Sequence, residues 1–322
     1  MFARLAFACL IALALFRFSS ARAEELEHLP GLAETEPVVQ LERFNDEPGF
    51  FRRWQRSHRR RVAKGTMIET DRPSFTLSPT TVPQGWVQLE TGFLAATVHD
   101  EFSEISRTDV PELNLRVGVL PRVEARVLWG GAADLKWTQT SFNGPFGPGA
   151  DGVTLRDSGT SSMAVGLKFQ VSQPHGWIPQ SALVTDVILP TGDYFGAPFR
   201  LVAFGASRAV GGLFDYIYFW PLGDRFAVGG STGWLVGSEG GLTVDSFFQS
   251  AMLKFFWTPR LTLFTEFYSI SIDDYYGSAP DIVDFGVKWH AYNNLQYDFI
   301  AAFPLIRDGS GCYIGAGVSY RY

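Results

Sequence analysis

The sequence predicts an all-β protein: an antiparallel transmembrane β-barrel of twelve strands, preceded by an irregular N-terminal leader. Three observations point there. The 322-residue chain is 46% hydrophobic and 15% aromatic but only 19% charged, with 28 Phe, 11 Tyr, 9 Trp and 33 Gly. That composition suits aromatic-rich sheet and excludes a disordered chain or a coiled coil. From Trp86 onward apolar and polar residues alternate in segments of about ten, punctuated by Gly, Pro, Asn and Asp, which is the period of strands. The segments are joined by alternately short and long connections, an asymmetry of outer-membrane barrels that a soluble sandwich has no reason to show. Past the N-terminus no run of about eighteen apolar residues occurs, which excludes a helical membrane protein and leaves a closed barrel open. A net charge of −6, without a long basic tract on the folded part, argues against nucleic acid as a partner.

Residues 1–23 read as a signal peptide. Arg4 lies in a short basic head, Leu5 to Phe16 form an apolar stretch too short to span a bilayer, and Ala21-Arg22-Ala23 is a small-residue cleavage ending. Cleavage would remove Cys9 and leave only Cys312, so neither an intramolecular disulfide nor a cysteine-spaced metal site is expected. Residues 24–85 read as a periplasmic leader outside the core: Pro30, Pro37 and Pro48 interrupt acidic stretches, then Arg52, Arg53, Arg56, Arg59, Arg60, Arg61 and Lys64 crowd together. Such a cluster suits anionic headgroups or a partner, and equally a solvated helix or linker.

The barrel is expected over residues 86–322. Its first six strands are Trp86–Val98, Val110–Val119, Val123–Ala132, Thr160–Val171, Ser181–Leu189 and Arg200–Phe219. Six more are Arg225–Val236, Ser246–Trp257, Leu261–Ile270, Asp281–His290, Leu295–Phe303 and Gly311–Tyr322. Arg200–Phe219 is too long for one ordinary strand, and its Gly211-Gly212 admits a bulge or an extra hairpin. Tight turns fall at Pro121, Pro221, Pro259 and Asn293-Asn294. Long loops are expected at His99–Asp109, Ala133–Gly159, Pro190–Pro198, Gly237–Asp245, Ser271–Pro280 and Pro304–Ser310. Outward faces such as Phe214, Tyr216, Tyr218 and Trp220 end in an aromatic beside a short turn, as an interfacial girdle does. In the last strand Gly317, Tyr320 and Tyr322 fit the terminal signal read by the barrel assembly machinery, although Gly315 stands where a polar residue is usual.

Glu69-Thr70-Asp71-Arg72-Pro73, with Ser78-Pro79, Val82-Pro83, Gly85 and Gln88-Leu89-Glu90, carries a resemblance. So do Leu189-Pro190-Thr191-Gly192 and Trp220-Pro221-Leu222-Gly223-Asp224-Arg225. Over most of Glu69 to Tyr322 the chain resembles the bacterial outer-membrane barrels described as transporters, or as the meta-pathway of phenol degradation family. The resemblance implies an outer-membrane channel for small or aromatic solutes and implies no catalytic residues.

Catalytic and metal chemistry find little support. Gly229-Gly230-Ser231-Thr232-Gly233 matches a nucleophile elbow, but no helix follows it, and Gly-rich packing of a barrel wall accounts for it. The histidines lack zinc spacing. Asp273 and Asp274 with Tyr275 and Tyr276 could hold a divalent cation or form a solvated loop. Neither a catalytic residue, a resident metal nor a cofactor is assigned. The period-two reading turns Glu90, Glu112, Arg116, Glu124, Arg126, Lys168, Asp186, Lys254, Glu266, Asp284, Lys288 and Asp298 inward. Arg116 can meet Glu124, and Lys288 can meet Gln296 or Asp298. Such residues either set the selectivity of a path or close it as a salt-bridge network. The expectation is an exported outer-membrane channel for passive movement of small solutes, in contact with lipid and the assembly machinery. A structural barrel with an occluded lumen and a membrane-embedded hydrolase are the rival classes.

Overall fold

The computed structural model describes residues 66–99, 103–139, 152–193, 210–239, 242–273, 281–305 and 310–322. Fourteen strand segments form one sheet: β1 Val87–His99, β2 Ser103–Leu120, β3 Val123–Trp129, β4 Ala132–Gln139, β5 Thr154–Thr160, β6 Met163–Ser172 and β7 Gln180–Ile188. The remainder are β8 Gly211–Leu222, β9 Phe226–Glu239, β10 Leu242–Thr258, β11 Leu261–Asp273, β12 Asp281–Tyr292, β13 Leu295–Leu305 and β14 Ser310–Arg321. Each pairs antiparallel with its neighbours, and β1 pairs with both β14 and β2, so the sheet closes on itself. β3 and β4 both pair with β2, β3 along its Leu113–Leu120 half and β4 along its Ser103–Val110 half; β6 and β5 follow them in turn. They are two long staves, broken at Gly130-Gly131 and at Ser161-Ser162, and the barrel therefore has twelve staves.

Alternation sets the faces. Along β2, Leu115 is 38% exposed while Asn114 and Arg116 are buried. Phe214, Trp234, Phe247, Phe285 and Trp289 are about half exposed on the outside. An outer surface this apolar and aromatic suits lipid and would associate in water.

The structure corrects several sequence expectations. The long loop at His99–Asp109 is mostly strand, because β2 starts at Ser103. Ala133–Gly159 contains β4 and β5, which carry the sheet on as a hairpin around residues 140–153. At Gly237–Asp245 only residues 240–241 separate β9 from β10, where Leu242 pairs with Glu239. In each case strand outruns the membrane's need of about ten residues, and along β4 polar Asp134 and Lys136 alternate with buried Ala133, Leu135 and Trp137. Arg200–Phe219 contributes strand only from Gly211; residues 194–209 lie outside the described residues. The tight turns leave 121–122, 223–225, 259–260 and 293–294 between strands, all at one end.

The larger difference concerns the leader. Residues 66–86, assigned by sequence to a segment outside the core, run through the inside of the barrel. The signal peptide and Arg52–Lys64 lie outside the described residues.

Candidate functional site

A charge turned into a barrel must find a partner, since an unpaired buried ion costs several kcal/mol. Here the inward charges converge on residues 66–86. The segment starts beside the short turns: Ile68 N–H donates to the Asn293 carbonyl at 2.7 Å, His290 Nε2 meets the Ile68 carbonyl at 3.1 Å, and Arg321 donates to the carbonyls of Thr66 and Met67. It climbs to Phe75, whose ring stacks on Tyr268 at 4.1 Å and meets Phe248 edge-on at 5.4 Å. It then returns to the same end, where Gly85 N–H donates to the Gly118 carbonyl at 2.9 Å. Residues 66–86 thus form an internal plug.

On the side of β1, β2, β3 and β6 the plug is held by alternating charges. The Asp71 carboxylate accepts from Lys168 Nζ at 2.6 Å and lies 3.5 and 3.4 Å from Arg116 and Arg126. Arg116 forks onto Glu124 at 2.8 and 2.9 Å and reaches Glu90 at 2.8 Å, a bidentate geometry that only a guanidinium supplies. Glu90 accepts the N–H groups of Asp71 and Arg72, and Glu124 accepts that of Val82 at 2.5 Å. Burial favours a neutral Asp71, yet the Arg116, Lys168 and Arg126 charges outweigh it and hold the carboxyl well below the usual carboxylate range. Asp186 completes this group, 3.5 Å from Arg126.

Arg72 crosses to the seam. It pairs with Glu112, lies 3.5 Å from Asp298 and donates to the Ala316 carbonyl at 3.2 Å. Gly92 and Gly317 face one another across β1 and β14 beneath it. A methyl at Gly317 would stand 2.5 Å from Arg72 Nε, and one at Gly92 would run into the same guanidinium. Gly118 likewise leaves room for the Pro83 carbonyl. The wall is therefore shaped to the plug.

The opposite side is different. Glu266 accepts the N–H groups of Phe75 and Thr76 at 2.9 and 2.8 Å together with the Thr76 hydroxyl, and Thr76 Oγ1 is 2.5 Å from Ser250 Oγ. Asp284 sits directly across from Glu266 and is fully buried. Leu77 packs on Val184, Ile217, Phe219, Ala227, Met252, Phe264 and Ile300. Lys288 donates to the Thr70 carbonyl at 3.2 Å, Gln296 donates to Thr70 Oγ1 at 2.7 Å, and half-buried Lys254 stands 3.9 Å over the Phe219 ring.

Of the twelve inward charges read from the sequence, ten are buried, Glu112 and Lys254 are half-buried, and most touch the plug. Tyr320 and Tyr322 are exposed on the outer face. Sequence reasoning missed Asp71, Arg72, Thr76, Gln88, Gln296 and Arg321 as plug contacts. Arg321 was findable, because it lies on the face opposite Tyr320 and Tyr322. Ser231 sits in mid-strand, donating its N–H to Ser250 Oγ at 2.8 Å, with Gly229 and Gly233 making room for the Phe219 and Phe248 rings. The described histidines are engaged elsewhere: His290 with Ile68, His99 with Glu104 and His175 in a bridge with Ile178. Asp273 ends β11, while Asp274, Tyr275 and Tyr276 lie outside the described residues. Among the described residues no group of three or more His, Cys, Asp or Glu is placed to hold a metal ion.

Fold and site together define a closed antiparallel barrel plugged by its own chain. No family model and no curated protein sequence matches the chain. Among solved structures it is similar to an outer-membrane channel from Pseudomonas putida F1, with TM-score 0.51 and 12% identity over 79% of this chain and 100% of that one. The translocator domain of an autotransporter from Neisseria meningitidis gives TM-score 0.47 and 13% identity over 84% and 94%. The first likeness shows the barrel fold.

Proposed function

We propose that the protein is an outer-membrane channel for small solutes, exported through its cleaved N-terminal segment, assembled by the barrel machinery and closed at rest by residues 66–86. The plug carries this reading, because a wall that supplies Glu90, Arg116, Glu124, Lys168 and Glu266 to one strand-less segment is built to hold something removable. A purely structural barrel could fill its lumen with wall side chains, as small barrels do. The apolar outer belt and the likeness to a channel fold support the membrane setting. Beyond Phe248, which touches the plug's Phe75, the inner wall stays apolar at Ile282 and Ala302 and at the cluster of Leu135, Trp137, Ile105 and Leu155. That lining favours uncharged, apolar or aromatic solutes over ions.

The buried salt-bridge network favours a second reading, a barrel kept permanently shut for structural use. Planar-bilayer conductance separates the two. The full chain should conduct little, and a chain lacking residues 66–85 that still inserts should conduct at least tenfold more. Equal conductance from both would leave the structural barrel. Recovery of the native protein as a soluble periplasmic monomer would end the membrane reading altogether.

A further inference from the structure

Among the described residues, Asp284 is an inward acid with no cation in contact. Asp284 is fully buried, and neither of its oxygens meets a hydrogen-bond donor. Glu266 is its direct partner across the β11–β12 ladder, so two buried carboxyl side chains leave the sheet side by side on its inner face. Acceptor therefore faces acceptor unless one of them holds a proton. Glu266 cannot supply it without loss, because its two oxygens already accept two N–H groups and a hydroxyl from Phe75 and Thr76. A hard cation is a poor alternative, since it takes about six or more oxygens and here Glu266 is already engaged.

The other charged and titratable groups around the pair do not answer Asp284. From β10, Lys254 stands over Phe219; from β12, Lys288 donates to the Thr70 carbonyl; and no ion pair joins either lysine to Asp284 among the described residues. Asp298 on β13 pairs with Lys288 in register and lies beside Arg72. On β13 and β14, Ala302 stands opposite Asp284 and Tyr313 opposite Ala302, while Tyr268 on β11 is stacked under Phe75.

We propose that Glu266 and Asp284 form a binding site for one proton, carried on Asp284 and donated to Glu266, and that this proton latches the plug. Loss of it leaves two carboxylates side by side in a space the plug keeps dry. A hydrated lumen screens them, so deprotonation favours release of Phe75 and Thr76. The latch is complete while the proton is bound and is lost as pH rises. Its gating role rests on the channel reading; the proton itself does not.

Two measurements test it. In planar bilayers, from neutral pH upward, the open-to-closed ratio of the native chain should rise with pH by up to tenfold per unit, the slope of a single proton. Asp284→Asn, which donates to Glu266 without titrating, should stay closed across the range, and Tyr268→Phe should keep the native slope. An unchanged slope in Asp284→Asn overturns the proposal, as does loss of the slope in Tyr268→Phe. Infrared difference spectra of the folded protein should show a protonated carboxyl band that Asp284→Asn removes, whether or not any variant conducts. Absence of that band in the native protein also overturns it. If the band is present while the chain lacking residues 66–85 conducts nothing, the channel reading fails and the proton site stands.

Discussion

The two sides of the lumen hold the same segment by opposite means. Toward β1, β2, β3 and β6 the plug's own Asp71 is set among Arg116, Arg126 and Lys168, and every charge is answered. Toward β10, β11 and β12 the plug offers only backbone N–H groups and a hydroxyl to Glu266, with Asp284 unanswered behind it. The first arrangement is an ion-pair lock that costs much to break, since removing one partner strands the others. The second is a latch that the loss of a single proton can undo. A plug anchored on one side and latched on the other can swing from its anchor without leaving the barrel.

The sharpest break of this comparison is Asp71→Ala. It leaves three buried cations without their shared anion and should cost about 3–5 kcal/mol of plug docking. It should be read as a large rise in open probability, whereas Asp284→Ala should cost far less. Similar openings from both variants would erase the distinction between lock and latch. The native chain carries the same test in its pH response. Asp71 is held below its ordinary range, so its contribution is full at neutral pH and is lost as pH falls below that range toward its depressed value. Opening by acid through the lock and by alkali through the latch should bracket a closed state at neutral pH.

A smaller effect is expected at the seam. Gly317→Ala should cost about 1–3 kcal/mol by crowding, and Arg72→Ala in the same chain should recover part of it, because the guanidinium is one of the groups a methyl would strike. A double-mutant cycle on folded yield measures the coupling. No coupling would return Gly317 to a role in the terminal assembly signal. The smallest effect belongs to Tyr322→Ala. That side chain is 71% exposed, and its main-chain bonds to Val87, at 2.7 and 2.9 Å, survive the change. Stability in detergent should move by less than about 1 kcal/mol, while the rate of assembly in cells falls. An unchanged rate would remove the signal reading of Tyr320 and Tyr322.

Some of the site was legible before any fold was known. Arg116 and Glu124 were expected to meet, and they do, because a two-residue turn leaves little choice of register between adjacent strands. Interleaved signs on the inner face also announced that charge pairing mattered there. What was missing was the third partner. Asp71 reaches Lys168 across 97 residues and Arg72 reaches Ala316 across 244. No local pattern encodes such separations. The loops at 99–109 and 237–245 were misplaced for a related reason: polar residues at the rim of a long stave and polar residues in a loop have the same composition, and only pairing across the sheet distinguishes them.

The sequence by itself determined the membrane-crossing part of most strands, their alternation and the tight turns between them. Period two, Pro and Gly act within a few residues and need no knowledge of the rest of the chain. Tertiary structure alone decided that Thr66 to Trp86 lies inside the barrel and that Gly92 and Gly317 form one cradle. It also placed Asp284 opposite Glu266 with no cation beside it. Those facts follow from closure, which brings β1 against β14 and surrounds a segment whose Pro73, Pro79 and Pro83 cannot donate to a ladder but whose polar groups the inward charges can satisfy.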